Sequence, residues 1–329
     1  MKKIFSKLCG GVLLCALSMS LTSCEDVLGH WEKPTPNPIT PPSGGETPVT
    51  PEEIYAFSLR NMADDADITA TAFNVTDQDG NTIVTAESDG KYTIKSGELS
   101  SVTTLWLEAT TATGKYIAKA TKEELPAIAE AGKLKMATLG DVILADGKFA
   151  VAGTEGQLAK IAYLGDGDNS DDTYNHGLAL ALKDVSETKA WDNRGVGLLN
   201  NCLGTQYSVE ADAKGDMAGI VNTTTLVGHT HHPAAVAASE FKYKDDVDAG
   251  AHPDGTSAWF LPSAGQWQKM ATAAGSYENL KTNTGLSVFF YWSSTEYNTS
   301  DAWSFLSSTG TWGNRSKGNN SRVRACLAF

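Results

Sequence analysis

The residues best placed to do chemistry are three imidazoles within four positions, His229, His231 and His232, with His176 and His252 elsewhere in the chain. A cluster of this kind raises the question of zinc, which takes nitrogen, sulfur and carboxylate ligands in a tetrahedron. The spacing argues against it. His231 and His232 are adjacent, so their side chains diverge on any regular backbone, and no pair stands four apart to share a helix face. The run fits equally well as a helix start, with Pro233 in the first turn. No metal site and no cofactor are expected from these residues.

Two acidic stretches have oxygen ligands at alternate positions, as a calcium loop does. In Asp77, Asp79 and Asn81 the glycine, Gly80, comes two places early, and the twelfth position holds Ser88 instead of glutamate. In Asp166, Asp168 and Ser170 the sixth position lacks glycine and the twelfth lacks glutamate. Turn chemistry is the expectation for the first. No Gly-x-Ser-x-Gly elbow, Walker loop or dinucleotide fingerprint occurs. Outside residues 1–24 the cysteines are Cys202 and Cys326. They could form a disulfide in an exported protein or serve as small core residues. A nucleophilic role would need a base delivered by the fold. The chain is not expected to be an enzyme.

The last seventy or so residues have a composition of their own. In residues 298–321, 13 of 24 are Ser, Thr or Asn and three more are Gly, a composition that ordinarily means disorder. Yet this stretch lies within a frame of apolar blocks: Trp259-Phe260-Leu261-Pro262-Ser263, Tyr291-Trp292-Ser293-Ser294-Thr295-Glu296, Ala302-Trp303-Ser304-Phe305, and Arg322-Val323-Arg324-Ala325-Cys326-Leu327-Ala328-Phe329. Strand alternation sends Trp303 and Phe305 one way and Ser304 and Leu306 the other. The expectation is aromatic backing with changeable polar residues in front, which suits recognition better than catalysis. Tyr297 and Trp312 are placed either to stack on a sugar face or to join the core.

The N-terminus reads as a targeting segment. Lys2, Lys3 and Lys7 precede an apolar run, residues 8–21, too short to span a bilayer comfortably. Leu21-Thr22-Ser23-Cys24 then resembles a bacterial lipoprotein signal, with 1–23 removed and lipid on Cys24, anchoring the chain to the outer membrane. Glu25 and Asp26 resemble the surface-export signals of such lipoproteins. Residues 24–52 form a proline-rich, extended tether that would hold the folded part off the membrane. Removing 1–23 takes three lysines and no acid, so the formal charge moves from −13 to −16. That argues against nucleic acid as a partner, and the lipid anchor is the expected membrane contact.

Residues 53–136 alternate as strands do. Residues 68–75 lead through Asp77-Gln78-Asp79-Gly80-Asn81 to Thr82-Ile83-Val84, a hairpin signal, and 103–108 and 116–120 are further strands. A small antiparallel β-sandwich is predicted. A second domain, 137–329, mixes helix and strand. Helices are predicted over 216–226 and 233–241, and after Ser263, where Gln266 completes a capping box and Trp267, Met270, Ala271 and Ala274 share a face. In the final strand Val323, Ala325, Leu327 and Phe329 share one face, so the C-terminus should be tied into a sheet.

Leu105-Trp106-Leu107-Glu108-Ala109-Thr110-Thr111, Gly114-Lys115-Tyr116 and Ala131-Gly132-Lys133-Leu134 resemble sandwich repeats of the fimbrillin family. The blocks beginning at His176, Trp259, Tyr291 and Val323 resemble the C-type-lectin-like fold, in the branch that includes the Fibrobacter succinogenes major paralogous domain. The resemblance implies an N-terminal all-β sandwich plus a C-terminal α+β C-type-lectin-like domain with paired terminal strands. No Glu-Pro-Asn or Gln-Pro-Asp sugar motif is present. Formylglycine-generating enzymes share that broad fold, but their paired reactive cysteines cannot be placed here. The polar segment further resembles the variable proteins of diversity-generating retroelements, in which adenine mutagenesis scatters changes over a fixed frame. An undiversified polar loop would have the same composition. The implied role is a surface lipoprotein, an adhesin or a fimbria-associated tip protein partnered by fimbrial subunits, that binds a protein or glycan ligand. The alternative is a glycan-binding lipoprotein of a polysaccharide uptake system. The candidate ligand-binding residues are Tyr297, Asn298, Ser300, Asp301, Ser304, Leu306, Thr311, Trp312, Asn314, Arg315, Asn319 and Asn320.

Overall fold

Alternation in the first strand buries Tyr55, Phe57 and Leu59 on one side, and that side founds the N-terminal core. The computed structural model describes residues 51–170, 173–185, 187–195 and 201–329. The expected signal segment, the lipid site Cys24 and the tether through residue 50 lie outside the described residues, as do Asp171 and Asp172 of the second acidic stretch.

The first part is built from β1 (Ile54–Asn61), β2 (Ala72–Asp77), β3 (Thr85–Ser88), β4 (Lys91–Lys95), β5 (Thr104–Thr110), β6 (Lys115–Thr121), α1 (Leu125–Ala131) and β7 (Lys133–Met136). A four-stranded sheet, β3-β4-β1-β7, and a three-stranded sheet, β2-β5-β6, share one buried cluster: Phe57, Tyr92 and Ile94 come from the first and Val75, Leu105 and Leu107 from the second. This is the expected sandwich with one correction, since β7 runs parallel to β1. Gly132, at φ 66°, ends α1 in the left-handed conformation glycine favours and turns the chain into β7. The predicted hairpin is shorter than expected. Residues 68–71 are not strand, and Thr76 and Thr82 meet in a lone bridge. The turn between them is held by Asp77, whose carboxylate accepts the amides of Asp79 (2.9 Å) and Asn81 (2.8 Å). The oxygens that calcium would use are thus engaged in turn chemistry.

The second part holds β8 (Val142–Leu144), β9 (Phe149–Ala150), β10 (Gln157–Leu164), β11 (Gly177–Ala181), β12 (Lys189–Ala190), α2 (Glu210–Ala213), α3 (Gly219–Val227), α4 (Pro233–Ser239), α5 (Ala264–Ala273), α6 (Tyr277–Thr284), β13 (Phe290–Glu296), β14 (Asp301–Leu306), β15 (Thr311–Ser316), β16 (Asn320–Ser321) and β17 (Cys326–Ala328). Its main sheet is antiparallel, in the order β17-β11-β10-β8-β9. Both of its faces are covered. Ala179, Ala181, Leu327 and Phe329 enter one apolar cluster, and Leu178, Leu180, Cys326 and Ala328 enter another. A strand buried on both sides needs no polar alternation, which explains the sequence Gly-Leu-Ala-Leu-Ala of β11. The last strand ties down the C-terminus as expected but is shorter than predicted, with Val323 and Ala325 ahead of it; Val323, Ala325, Leu327 and Phe329 still share one cluster. The halves meet where His176 stacks on Trp106 with ring centres 4.2 Å apart, its Nδ1 2.8 Å from the Glu108 carboxylate.

The capping box forms, with Ser263 N donating to Gln266 Oε1 (2.9 Å) and Gln266 N to Ser263 Oγ (3.4 Å), and Trp267, Met270 and Ala271 face the core. Helix α3 starts later than predicted, at Gly219. Asp216 stands ahead of the helix and accepts from Ala218 N, Asn222 and Thr295.

Candidate functional site

Register sorts the sheet β13-β14-β15 into two faces. Tyr291, Phe305 and Trp312 lie opposite one another across it and pack with Trp267, whose ring centre is 4.8 Å from that of Phe305. Trp303 shares this face and donates its Nε1 to the Tyr207 carbonyl. The aromatic backing is therefore present. The other face carries Trp292, Ser304 and Gly313, and Phe290, Leu306 and Thr311. Its middle is not open, which corrects the expectation for Ser304. Trp292 and Ala302 belong to the cluster containing Trp191 and Val323, and Ser304 is fully buried with its Oγ donating to the Gly313 carbonyl (3.3 Å). Alternation separates two faces but does not say whether the second one meets water, and here a second core covers it.

What remains open is an edge. β15 is the outer strand of its sheet. Thr311 and Asn314 on it are exposed, and Arg315 is half-buried with its guanidinium 4.4 Å from the centre of the Phe290 ring. The other candidates divide between the two ends of the strand. Asn298, Ser300, Asp301, Asn319 and Asn320 gather at one end, since Asp301 pairs with Ser316 and Lys317 N donates to Ser300 O (2.9 Å). Leu306 and Thr311 pair at the other, beside Phe290. Trp312 is only 8 % exposed and gives its Nε1 to Tyr277 Oη (2.7 Å), so it is core and offers no sugar platform. Tyr297 is half-buried and packs edge-on to Trp303 at 5.3 Å. Next to the Thr311 end, Val288 and Phe289 are exposed, with Arg322 5.3 Å over the Phe289 ring.

The Asn298 end is held from beneath by Lys317 and Glu296, an ion pair with both side chains fully buried. Lys317 Nζ also donates to Thr299 O (3.0 Å) and lies 4.9 Å from the centre of the Trp191 ring. The Glu296 carboxylate accepts Cys202 N (3.1 Å) and Leu203 N (3.0 Å). The Lys317 carbonyl accepts Trp191 N (2.8 Å) and Asp192 N (3.0 Å). One lysine in a polar stretch thus ties together three segments distant in sequence. Neither residue stands out from its neighbours by type or spacing. At the far side of β13, Arg324 plays a comparable part: buried, it donates Nε to Asp184 (2.6 Å) and caps the C-terminus of α6 through Thr284 O and Gly285 O, while Tyr291 donates its hydroxyl to the same carboxylate (2.8 Å).

Against the Lys317 carbonyl stands a polar group that involves part of the histidine run. Arg194 Nε donates to both oxygens of Asp192 (3.1 and 3.0 Å), and its Nη2 reaches Cys202 Sγ (3.0 Å). Burial alone would raise the Asp192 carboxyl, but the guanidinium holds it below its usual value. Burial raises the Cys202 thiol, with Arg194 opposing. His232 is 1 % exposed, and burial pushes its imidazole down to about 4. The three histidines do not form one site, although the His229 and His232 ring centres are 6.1 Å apart. His232 is buried at the start of α4, whereas His231 is exposed, with Nδ1 3.3 Å from Asn193 Oδ1, and His229 is exposed. His176 serves the junction between halves, and His252 turns back on Pro253 and Thr256. Cys202 and Cys326 are not joined to each other; Cys326 lies inside the main sheet.

Asp168 of the second acidic stretch is buried and spent. It accepts from Ser170, from Ile220 N (2.9 Å) and from Gln266 Nε2 (2.8 Å). Among the described residues no helix is long and apolar enough to cross a membrane.

No family model and no curated protein matches this chain. Among solved structures it is similar to a fimbrial protein from Bacteroides ovatus ATCC 8483, at 13 % identity over 84 % of this chain and 71 % of that one, with a TM-score of 0.40, too low to assign a fold or a role.

Proposed function

We propose that this chain is a surface-displayed recognition lipoprotein, a C-type-lectin-like domain behind a fimbrillin-like sandwich. It would act as an adhesin or a fimbria-associated tip subunit and bind a protein or glycan ligand. The binding surface in this reading is the open edge of β15 with the turns at its ends, comprising Asn298, Ser300, Thr311, Asn314, Arg315 and Asn319. One observation carries the reading: the exposed polar side chains of this edge are presented by a buried frame, since Asn314 pairs across the sheet with the buried Trp303 and the Ser300 end is held by the fully buried Lys317–Glu296 pair. Residues so placed can change identity at little cost to folding, while the backbone that presents them stays fixed. An edge strand also offers unpaired backbone groups to a ligand. The N-terminal lipid signal and tether support display outward from an outer membrane.

The test is a triple variant, Asn314→Ala, Arg315→Ala and Asn319→Ala, compared with the parent chain for adhesion to host and bacterial cells and for binding across a glycan array. Loss of a parental binding signal with an unchanged unfolding midpoint is the expected result. A folded triple variant that retains every parental signal would remove this edge from consideration.

A further inference from the structure

The geometry points to a divalent-metal site formed by Asp192, Cys202 and His232, suited to a borderline cation such as zinc. A ring nitrogen of His232, the Cys202 Sγ and an Asp192 oxygen all lie within 4.8 Å of one another. Nitrogen, thiolate and carboxylate together are a zinc donor set, and three protein ligands leave a fourth position for water or an exogenous group. Tetrahedral zinc holds its donors roughly 3.5 Å apart, so even a pair at that limit would need to close by only on the order of 1 Å.

The second, independent observation is His232 itself. Its Nδ1 lies 3.1 Å from the Trp191 carbonyl, and donating there fixes the proton on Nδ1. Nε2, with its lone pair, is buried and has no hydrogen-bond partner. A buried polar atom left unpaired is costly in an apolar setting. A metal-bound histidine is commonly oriented in this way, one ring nitrogen donating to a backbone carbonyl and the other turned to the ion. The other two ligands are positioned just as firmly. Asp192 N donates to the Lys317 carbonyl and Cys202 N to the Glu296 carboxylate, so the buried ion pair sets the backbone on both sides of the site.

Arg194 now stands where the ion would. Its guanidinium neutralises Asp192 and touches Cys202, and its side chain is 19 % exposed, which gives it a way out to solvent. Binding would replace one cation by another: the guanidinium swings outward, the Cys202 thiol gives its proton to water, and sulfur, carboxylate and Nε2 take the metal. The site lies beneath the Asn298 end of the recognition edge, but nothing in its derivation depends on that edge binding a ligand.

Cobalt(II) serves as the spectroscopic probe, added alone to the chelator-treated full chain. One equivalent should produce a thiolate-to-cobalt charge-transfer band that zinc(II) abolishes by competition. Cys202→Ser and His232→Gln should each remove the band, with circular dichroism showing that the fold survives. Arg194→Ala takes away the competing guanidinium and should tighten cobalt binding, which also keeps the proposal testable if either ligand variant fails to fold. The doubly substituted His229→Gln, His231→Gln chain should keep the band. No band in the parent chain, a band that survives Cys202→Ser, or one that disappears with His229 and His231 would overturn the assignment.

Discussion

Lys317 and Glu296 face each other at the Asn298 end of the β15 edge, and neither side chain is exposed to solvent. Removing two charges from water is expensive, and attraction offsets it only when the remaining hydrogen-bonding capacity is used. Here it is. The carboxylate takes two backbone amides and the ammonium takes the Thr299 carbonyl and the face of Trp191. The pair therefore specifies how segments 191–194, 201–203 and 298–300 sit together.

Breaking the pair from one side should be far worse than removing it whole. Lys317→Met leaves an uncompensated buried carboxylate and is expected to cost about 3–5 kcal/mol, whereas Lys317→Met with Glu296→Gln should recover much of that loss. Denaturant unfolding of the two singles and the double gives the coupling directly. Equal losses in the single and the double would mean that charge compensation is not what the pair provides.

How far the sequence discloses this arrangement depends on the range of the interactions. The sandwich, the capping box at Ser263 and the shared face of the last strand are local signals, repeating every second or third residue, and they carry over to the structure. Ser304 misleads because alternation assigns a face and not its neighbour; Trp191 and Val323, which line the core over that face, are distant in the chain. Asp184, Lys317 and Asp192 carry no pattern at all, since each acquires its role only when chain segments far apart meet. The histidine run gives half an answer. Adjacency rightly separates His231 from His232, but it cannot show that His232 turns inward to an aspartate and a cysteine forty and thirty residues earlier.

Tyr291 should make stability fall in alkali. Burial, then the charge of Asp184, push its hydroxyl up to about 12, against about 10 in an unfolded chain. The folded state holds this proton more tightly, so the contribution is intact below about pH 10 and is lost as pH rises toward 12. A displacement of this size corresponds to about 2–3 kcal/mol. Tyr291→Phe should lower stability at neutral pH, because Asp184 and Ser287 N lose a partner. It should also flatten the alkaline limb of unfolding free energy against pH. An unchanged slope between about pH 10 and 12 would show that Tyr291 is not the group titrating.

Gln266 should prove structural and Asp168 indifferent to calcium. The Gln266 side chain donates to Gly167 O (2.9 Å) and Asp168 and accepts Ser263 N. Gln266→Leu strands these groups in the interior at an expected cost on the order of 3 kcal/mol, given about 1–3 for each group left unpaired. Millimolar calcium should leave the thermal midpoint of the parent chain where it is, because both Asp168 oxygens are already engaged. A calcium-dependent rise in the midpoint would reverse the reading of this turn.

The division between frame and edge makes the sharpest contrast at neighbouring positions. Ser304 lies opposite Gly313 in the middle of the sheet, and Asn314 is the next residue along the open strand. Ser304→Lys forces a long charged side chain into a filled interior with no partner for its ammonium, and the expected loss is at least several kcal/mol. Asn314→Lys and Asn319→Lys place the same side chain in water and should shift stability by no more than about 0.5 kcal/mol. Denaturant midpoints of the three variants, measured side by side, decide the matter. If Asn314→Lys is as damaging as Ser304→Lys, the edge is part of the frame and cannot be the proposed binding surface; if all three are tolerated, the core over Ser304 is not closed.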